Sequence, residues 1–428
     1  MAFETLVTIQ SMAFKGYGVS RVNGKVVFIP YTLRGEEARV EIAEEKKTYS
    51  LGKLIHLLKP SPWRVAPPCP YFGRCGGCQW QHIDPTLQGD FKKEILHDIL
   101  TRLGGLKRVP PITVIPSPQP YDYRLRVQLK VQGEAIGYYE ERSHRLVDIE
   151  HCAIAHPLVN RILTALRQSL PLFRSMEEIE INVSPEEKQG ILRLHPHRFS
   201  SDTEHLLLAF QSKHPVLKGM ILTDRKKVKC FGDPVLYFTI SFHRHNESRS
   251  LRLRTSPESF FQVHLEQNQC LIQTVQEWAD VQPQERALDL FAGVGNFTLP
   301  LAVGTKGAWG IEENPRAVED ARFNADRNGV SRCKFIRGRA EDVLKTLAGE
   351  RFEVVVLDPP RVGCKTIVHQ VTQLEPKRII YVSCEPTTLA RDLRLFLERG
   401  YRLEDLRLFD LFPQSYHMEV VALLRSPC

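Results

Sequence analysis

The sequence contains no uninterrupted apolar run of the roughly 20 residues that a membrane-spanning helix needs. Its first residues, MAFETLVTIQ, also lack the basic stretch and following apolar segment of a secretory signal. The chain has no internal repeat. These absences predict a cytoplasmic protein with no membrane partner, and we expect it to be a monomer.

The composition is that of a globular chain, with 42% hydrophobic and 25% charged residues among 428. This length predicts two or three domains. Lys and Arg exceed Asp and Glu by 58 to 50, an excess that suits a polyanionic partner but equally suits a solvated surface. Ten cysteines in a cytoplasmic chain are not expected to form disulfides, so they indicate metal binding or catalysis.

Hydrophobic patterns divide the chain into three parts. Residues 1–60 alternate apolar and polar positions around an Asn23–Gly24 turn, which predicts a small β-barrel. Residues 61–253 predict a central α+β domain, with a helix at 85–105 that we expect to pack on the last domain. Residues 254–428 alternate strands with amphipathic helices, which predicts a doubly wound, mostly parallel sheet ending in an antiparallel edge.

The first strand-to-helix turn of the last domain reads ALDLFAGVGNFTLPLA. Gly293 and Gly295 stand where the backbone would pass close to a ligand, and Glu312 ends the next strand, where it could bind a ribose diol. Thr298 occupies the place of the third glycine of a dinucleotide fingerprint. The turn therefore favours S-adenosylmethionine over a nicotinamide cofactor, with an ordinary tight turn as the alternative.

A cysteine marks the strand-to-helix turn in RIIYVSCEPTTLARD. We expect Cys384 to lie on the cofactor side of the sheet, where a following helix N-terminus could lower its pKa. A thiolate that adds to an electron-poor ring makes the neighbouring carbon nucleophilic enough to accept a methyl group. A base must then remove the hydrogen of that carbon, and Glu419, predicted on a facing edge strand, is the candidate. From the sequence alone Glu419 could equally be a surface carboxylate.

Two further motifs carry possible chemistry. Asp358, in FEVVVLDPPR, is expected at the cofactor cleft, although it could simply cap the next segment. Cys69, Cys75 and Cys78 lie in CPYFGRCGGC, and Cys152 is the best fourth ligand. Four thiolates suit a [4Fe–4S] cluster or a structural zinc ion, and spacing does not separate the two.

Together these segments resemble the RNA uracil-5-methyltransferase family, in particular its iron–sulfur-bearing 23S ribosomal RNA branch. SPESFFQVH, DLFAGVGNFTLPLA, LDPPR, YVSCEPTTLARD and DLFPQSYHMEVV carry the likeness, in order. The resemblance implies an N-terminal TRAM domain that binds RNA, a [4Fe–4S] cluster and a Rossmann-like class I methyltransferase domain. It implies Cys384 as nucleophile, Glu419 as base and Phe260 as a stacking residue for a flipped nucleotide. Cofactor contacts would come from Gln262, Phe291, Asn296, Glu312 and Asp358.

Three residues depart from the family pattern: Glu385 follows the nucleophile in place of Asn, His264 replaces an Asn, and Arg339 stands where an amide or acid often faces the adenine. The first places a negative charge beside Cys384, which would oppose thiolate formation unless the side chain points away. Alternatives are a transfer RNA uridine methyltransferase, an RNA amino-nitrogen methyltransferase, and an RNA-binding protein with a degenerate methyltransferase fold. Arg361, rather than an aromatic residue after the prolines, argues against the nitrogen enzyme.

Overall fold

A computed structural model describes residues 3–197, 201–224, 228–244 and 247–427. The ends of the predicted first and last domains, residues 1–2 and 428, lie outside these ranges. No helix in the described ranges has the length and apolar character required to cross a bilayer.

The N-terminal part is a six-stranded sheet in the order β1-β5-β6-β4-β3-β2, with only β4 and β6 parallel. The Asn23–Gly24 turn that joins β3 to β4 has positive φ angles, 49° and 78°, as a tight hairpin requires. Apolar side chains on one face form a small core of their own. The strands are β1 (Glu4–Thr8), β2 (Ser11–Ala13), β3 (Tyr17–Val22), β4 (Lys25–Ile29), β5 (Glu37–Glu45) and β6 (Tyr49–Lys59).

The segment that follows crosses over to the C-terminal sheet. Helix α1 (Pro85–Asp98) begins at Asp84, whose side chain accepts a hydrogen bond from the Thr86 amide, and continues into a π-helical turn at Ile99–Leu103. Strand β7 (Ile112–Ile115) then pairs with a strand near the C-terminus. The α1 side chains Phe91, Ile95 and Leu96 are buried in the core of that C-terminal sheet.

The central part is a seven-stranded sheet in the order β10-β9-β8-β11-β12-β13-β14. Helix α2 packs on β11 and β12 and buries its apolar face there. The elements are β8 (Arg126–Gln132), β9 (Ala135–Tyr139), β10 (Leu146–Asp148), α2 (Pro157–Gln168), α3 (Leu170–Phe173), β11 (Met176–Ser184), β12 (Gln189–Pro196), α4 (Ser201–Lys213), β13 (Leu217–Thr223) and β14 (Val228–Gly232).

A long hairpin, β15 (Leu236–Arg244) and β16 (Glu247–Thr255), links the central part to the C-terminal part. It packs mainly on two C-terminal helices, α5 (Leu265–Ala279) and α7 (Pro315–Arg327), and also touches β11 and β12. The hairpin therefore spans the predicted boundary at residues 253–254.

The C-terminal part is an eight-stranded sheet in the order β19-β18-β17-β20-β21-β23-β22-β7. Strands β17 to β21 are parallel, and the chain runs outward in both directions from the β17–β20 pair, which creates a crevice at their carboxyl ends. The remaining elements are β17 (Arg286–Leu290), α6 (Thr298–Ala302), β18 (Gly307–Glu312), β19 (Cys333–Arg337), α8 (Ala340–Thr346), β20 (Val354–Leu357), α9 (Val368–Gln373), β21 (Arg378–Ser383), α10 (Pro386–Leu397), β22 (Arg402–Phe409) and β23 (Glu419–Arg425).

The last two strands pair antiparallel, as predicted, but the prediction that they form the edge of the sheet is wrong. Strand β23 inserts between β21 and β22, and β7 pairs in parallel with β22 to cover it. Sequence periodicity missed this because β7 has only four residues and comes from far earlier in the chain. The consequence is that Glu419 lies inside the sheet rather than on its rim.

Candidate active site

The loop after β17 forms a backbone cradle. Phe291, Gly293 and Gly295 all adopt positive φ angles, 69°, 54° and 92°. Left-handed backbone at a non-glycine residue such as Phe291 is uncommon and persists only where its surroundings hold it. The Gly293 amide donates to the Glu312 Oε2 atom at 2.9 Å, which ties the loop to the end of β18. A Cβ atom at Gly293 would meet nothing within 4 Å, so the backbone there faces open space.

Thr298 stands where a dinucleotide-binding turn would have its third glycine, and its side chain makes a buried hydrogen bond. Its hydroxyl donates to the Oδ2 atom of Asp289 at 2.5 Å, and both residues are fully buried. Burial raises the pKa of Asp289 to about 7, and its Oδ1 atom has no hydrogen-bond partner among the described residues. Thr298 thus holds the carboxyl group of Asp289, the last residue but one of β17.

One cavity of about 1030 Å³ joins the cradle to the end of β21. A volume of this size suits a cofactor together with a base. Most of the predicted cofactor and catalytic residues line it: Gln262, Phe291, Gly293, Glu312, Asp358, Cys384 and Glu419. Phe260 lines it as well and leaves 56% of its surface exposed.

Asn296 is the predicted cofactor residue that does not line this cavity. Its side-chain amide instead forms a reciprocal pair with the amide of Asn268 on α5, with both hydrogen bonds at 3.0 Å. In this structure Asn296 joins the cradle loop to α5, and its contact with a cofactor stays a prediction.

Cys384 and Glu419 are neighbours across antiparallel strands. Ser383 ends β21 and pairs with Val420, so the next residue on one strand faces the preceding residue on the other. Glu419 is 2% exposed, and its Oε1 atom has no hydrogen-bond partner among the described residues. Asp358, at the end of β20, faces the same space. The arrangement places a thiol, the buried carboxyl group of Glu419 and the partly buried carboxyl group of Asp358 around one end of the cavity.

Burial has the largest effect on the pKa values of Cys384, Asp358 and Glu419. It raises the pKa of the Cys384 thiol to about 12, with Glu419 and Asp358 adding to the shift and Arg361 opposing it. A backbone hydrogen bond at the start of the helix does lower the pKa of Cys384, but burial outweighs it, so the net pKa is raised and not lowered. Burial also raises the pKa of Asp358 to about 7 and that of Glu419 well above its usual range. Such shifts are typical of functional sites.

Glu385, the first departure from the family pattern, turns back onto its own helix. Its Oε1 atom accepts hydrogen bonds from the Thr387 hydroxyl at 2.6 Å and the Thr387 amide at 3.4 Å, so it caps α10. Its charge does not figure among the main influences on the pKa of Cys384. The side chain of Glu385 is therefore directed away from the thiol, which is the condition under which a glutamate at this position is tolerable.

The other two departures lie in different surroundings. His264 is fully buried, stacks on Tyr123 with ring centroids 4.8 Å apart, and shares a hydrogen bond of 2.8 Å with the Ser117 hydroxyl. Arg339 lines the cavity at the start of α8, with 66% of its side chain exposed. His264 thus has a packing function, whereas Arg339 faces the cofactor side of the cavity.

Asp320 on α7 is a supporting residue that sequence reasoning missed. Its buried carboxylate accepts hydrogen bonds from Arg254 Nε at 2.6 Å, from the Ser256 amide and hydroxyl at 2.7 and 3.0 Å, and from the Ser259 hydroxyl at 2.7 Å. These bonds anchor the segment that presents Phe260 and Gln262 to the cavity. The serines of SPESFFQ, which invite a carboxylate partner, were the available signal.

The four predicted metal-ligand cysteines border the same cavity at its far end: Cys69, Cys75, Cys78 and Cys152. Cys78 and Cys152 pack in one small apolar cluster with Tyr123. None of the four forms a disulfide. Within the described ranges, however, no three histidine, cysteine or acidic side chains converge as a formed metal site. The structure thus gathers the four thiols in one region without closing them into a metal site.

Family models match most of the chain. The tRNA (uracil-5-)-methyltransferase model covers residues 86–426, and the TRAM domain model covers residues 4–55, which includes most of the N-terminal sheet.

Individual relatives span nearly the whole chain. A 23S rRNA (uracil(1939)-C(5))-methyltransferase of Pectobacterium atrosepticum is 37% identical over 97% of this chain and 92% of its own length. An uncharacterized RNA methyltransferase of Aquifex aeolicus is 34% identical over 98% and 97%. The fold is similar to that of the Pyrococcus abyssi tRNA (uracil-54, C5)-methyltransferase, solved with S-adenosyl-L-homocysteine, with a TM-score of 0.76, 22% identity and coverage of 98% and 99%.

Proposed function

The chain belongs to the tRNA (uracil-5-)-methyltransferase family and is an S-adenosylmethionine-dependent RNA uracil-C5 methyltransferase, and on that premise we propose a covalent mechanism centred on Cys384. The observation that carries the proposal is the register of β21 and β23, which sets Cys384 beside Glu419 at the cavity. An amino-nitrogen methyltransferase or a degenerate RNA-binding protein would have no use for this pair.

Cys384 supplies the electrons that carbon 5 of uracil lacks. Its sulfur forms a bond to carbon 6, the ring becomes an enolate, and the thiol proton passes to Asp358 as that bond forms. A carboxyl group whose pKa is about 7 is a suitable proton acceptor near neutral pH. When bound, S-adenosylmethionine supplies the methyl group as an electrophile at its sulfonium centre.

Glu419 completes the reaction. Its carboxylate takes the proton from the methylated carbon 5, the electrons of that C–H bond re-form the C5–C6 double bond, and the C6–S bond breaks to return the electrons to Cys384. The unpartnered Oε1 atom in a buried position fits this duty, because no neighbouring donor in the described structure competes for it.

Arg361 adjusts the charge of the site. It lines the cavity and lowers the pKa of both Cys384 and Glu419 against the effect of burial. A fixed cation there favours the thiolate and the carboxylate that the two steps require. We assign it the stabilisation of both anions.

The cradle fits the methyl donor. Open space beside Gly293 and the carboxylate of Glu312 at the end of β18 suit a nucleoside bound across the carboxyl ends of the strands. Gln262, Phe291, Gly293 and Glu312 would contact the cofactor, and Asp358 would contact it and lie near the target base as well. Asn296 would act on the cofactor only through a rearrangement of its pair with Asn268.

The nucleophile is tested with Cys384→Ala. The variant should bind RNA with the affinity of the unchanged protein and transfer no methyl group from radiolabelled S-adenosylmethionine. Cys270→Ala, which changes an exposed cysteine elsewhere, is the matched control and should keep full activity. Methyl transfer by the Cys384→Ala variant would refute the covalent mechanism.

We also propose that Cys69, Cys75, Cys78 and Cys152 bind a [4Fe–4S] cluster. The support is the donor set: four free thiols that border one cavity end, two of them packed in one cluster. The side chains would have to close around the cluster when it binds. Anaerobically purified protein should be brown and contain iron and sulfide in similar amounts, whereas colourless protein with one zinc ion would favour zinc.

For the substrate we propose 23S ribosomal RNA. The Pectobacterium relative, which is named for that activity, aligns along nearly the whole chain, and the TRAM domain supplies a second surface for RNA. Mapping 5-methyluridine in ribosomal and transfer RNA from cells with and without the gene tests this choice. Loss confined to transfer RNA would contradict it. The monomeric state and the cytoplasmic location stay predictions.

A further inference from the structure

The loop between β22 and β23, residues 410–418, leads directly into Glu419. We call it the base loop. Asp410, Gln414 and Ser415 are buried within it, and Gln414 adopts a φ of 69°. A glutamine in left-handed backbone is strained and keeps that conformation only where other groups hold it. The shape of the base loop is therefore set by its contacts.

Gln88 on α1 makes the most complete of these contacts. Its Oε1 atom accepts a hydrogen bond from the Gln414 amide at 2.8 Å, and its Nε2 atom donates to the Gln414 Oε1 atom at 3.1 Å. The same Nε2 atom also donates to the carbonyls of Trp80 and Ile83, both at 3.1 Å. A fully buried glutamine thus holds the main chain and the side chain of the strained residue at once.

Neighbouring groups hold the base loop on either side of Gln414. The amides of Gln79 and Trp80 both donate to the Gln414 carbonyl at 3.0 Å. Lys92, fully buried on α1, donates to Asp410 Oδ1 at 2.6 Å and to the Phe412 carbonyl at 3.1 Å. These bonds come from residues 79–92, and they cross from the N-terminal half of the chain to the segment that carries the base.

Gln88 and Lys92 do not line the cavity, whereas Phe412, Ser415, His417 and Glu419 do. The two α1 residues therefore act on the reaction only through the base loop. Cys384 follows β21, whose place is set by pairing with β20 and β23. The contacts from residues 79–92 thus bear on the base far more directly than on the nucleophile.

We propose that Gln88 is a positioning residue for the proton-removal step. By fixing Gln414 it fixes the direction in which the base loop enters β23, and so the place of the Glu419 carboxylate. This proposal rests on the proposed function, because it assumes that Glu419 takes the proton from carbon 5 of a methylated adduct bound to Cys384. Loss of Gln88 should leave the earlier bond formation largely intact and slow the release of RNA.

The test uses Gln88→Leu in the full chain with RNA that carries ordinary uridine at the target. The methylated adduct should accumulate as a complex that survives denaturing electrophoresis, with its formation within about threefold of the unchanged protein and its release at least about tenfold slower. Gln276→Leu is the matched control, because Gln276 is also buried on a helix, α5, and its Nε2 atom has no hydrogen-bond partner among the described residues. No adduct should accumulate with it.

Gln414→Gly is the second variant, for the case that Gln88→Leu does not fold. Glycine adopts a φ of 69° without strain, and the main-chain bonds to Gln88, Gln79 and Trp80 are kept, so the fold should survive while the base loop loosens. It too should accumulate adduct. The covalent mechanism and the role of Gln88 are tested separately. If the unchanged protein forms no adduct on RNA that contains 5-fluorouridine, the covalent mechanism is refuted. If that adduct forms but neither variant accumulates adduct on ordinary RNA, or both steps slow equally, the role of Gln88 is refuted.

Discussion

Cys384 and Glu419 face each other one residue beyond the last pair of two antiparallel strands, Ser383 of β21 and Val420 of β23. The strand that carries Glu419 lies inside the sheet, held between β21 and β22. Backbone pairing, rather than side-chain contact, thus fixes the distance between the nucleophile and the base. A site built on paired strands is more precise than one built on loops.

The Glu419→Gln variant should transfer the methyl group but should release the methylated RNA only slowly. Glutamine is nearly isosteric but is no base, so methyl transfer should proceed while release slows by about 10²- to 10⁴-fold. Denaturing electrophoresis with ordinary target RNA measures the trapped complex. Rapid turnover by this variant would mean that another group removes the proton.

The rate at which the enzyme releases methylated RNA should rise with pH. The base acts as its carboxylate, and burial raises the pKa of Glu419 well above its usual range, so the protonated, inactive form should persist to higher pH than for an exposed glutamate. Since Arg361 lowers the pKa of Cys384 and Glu419, Arg361→Met should move the rising limb to higher pH. Single-turnover rates of RNA release measured against pH give the position of the rising limb, and Arg399→Met, a change beyond the far end of α10, should leave that position unchanged.

Glu385→Gln should change the methylation rate by less than about threefold, because the side chain of Glu385 caps α10 rather than facing the thiol. A glutamine oxygen retains the acceptor for Thr387. A rate increase of tenfold or more would show that the charge of Glu385 does restrain thiolate formation.

Asp320→Ala should lower the free energy of unfolding by about 3–5 kcal/mol, the usual cost of removing one partner of a buried ion pair. The change leaves Arg254 unpaired and frees the serines that hold the Phe260 segment. Urea denaturation measures the loss. Glu319→Ala, on the same helix in an exposed pair with Arg316, should cost at most about 0.5 kcal/mol.

The sequence was most informative where chemistry and secondary structure coincide. Gly293, Glu312, Asp358 and Cys384 follow or end strands of a parallel sheet, so the rule that ligands bind at the carboxyl ends of strands brought them into one cleft, and they line one cavity. Residue types at strand ends are local information, and local information is what a single sequence supplies best.

Tertiary contacts explain what the sequence did not show. Strand β7 covers the predicted edge, and Gln88 holds Gln414 across 326 positions of the chain. The pKa of Cys384 is raised where a lowered pKa was expected, because burial outweighs the effect of the helix end. Burial depends on the complete fold. Asn296 shows the same limit, because its partner on α5 is apparent only in three dimensions.

The most direct test of the covalent mechanism uses target RNA that carries 5-fluorouridine. Fluorine cannot leave as a cation, so the base has no proton to remove and the methylated adduct cannot break down. After incubation with S-adenosylmethionine and proteolysis, mass spectrometry should find the modified nucleotide on the peptide that contains Cys384. Full methylation of ordinary RNA with no adduct on the fluorinated RNA, or an adduct on a different residue, would contradict the account.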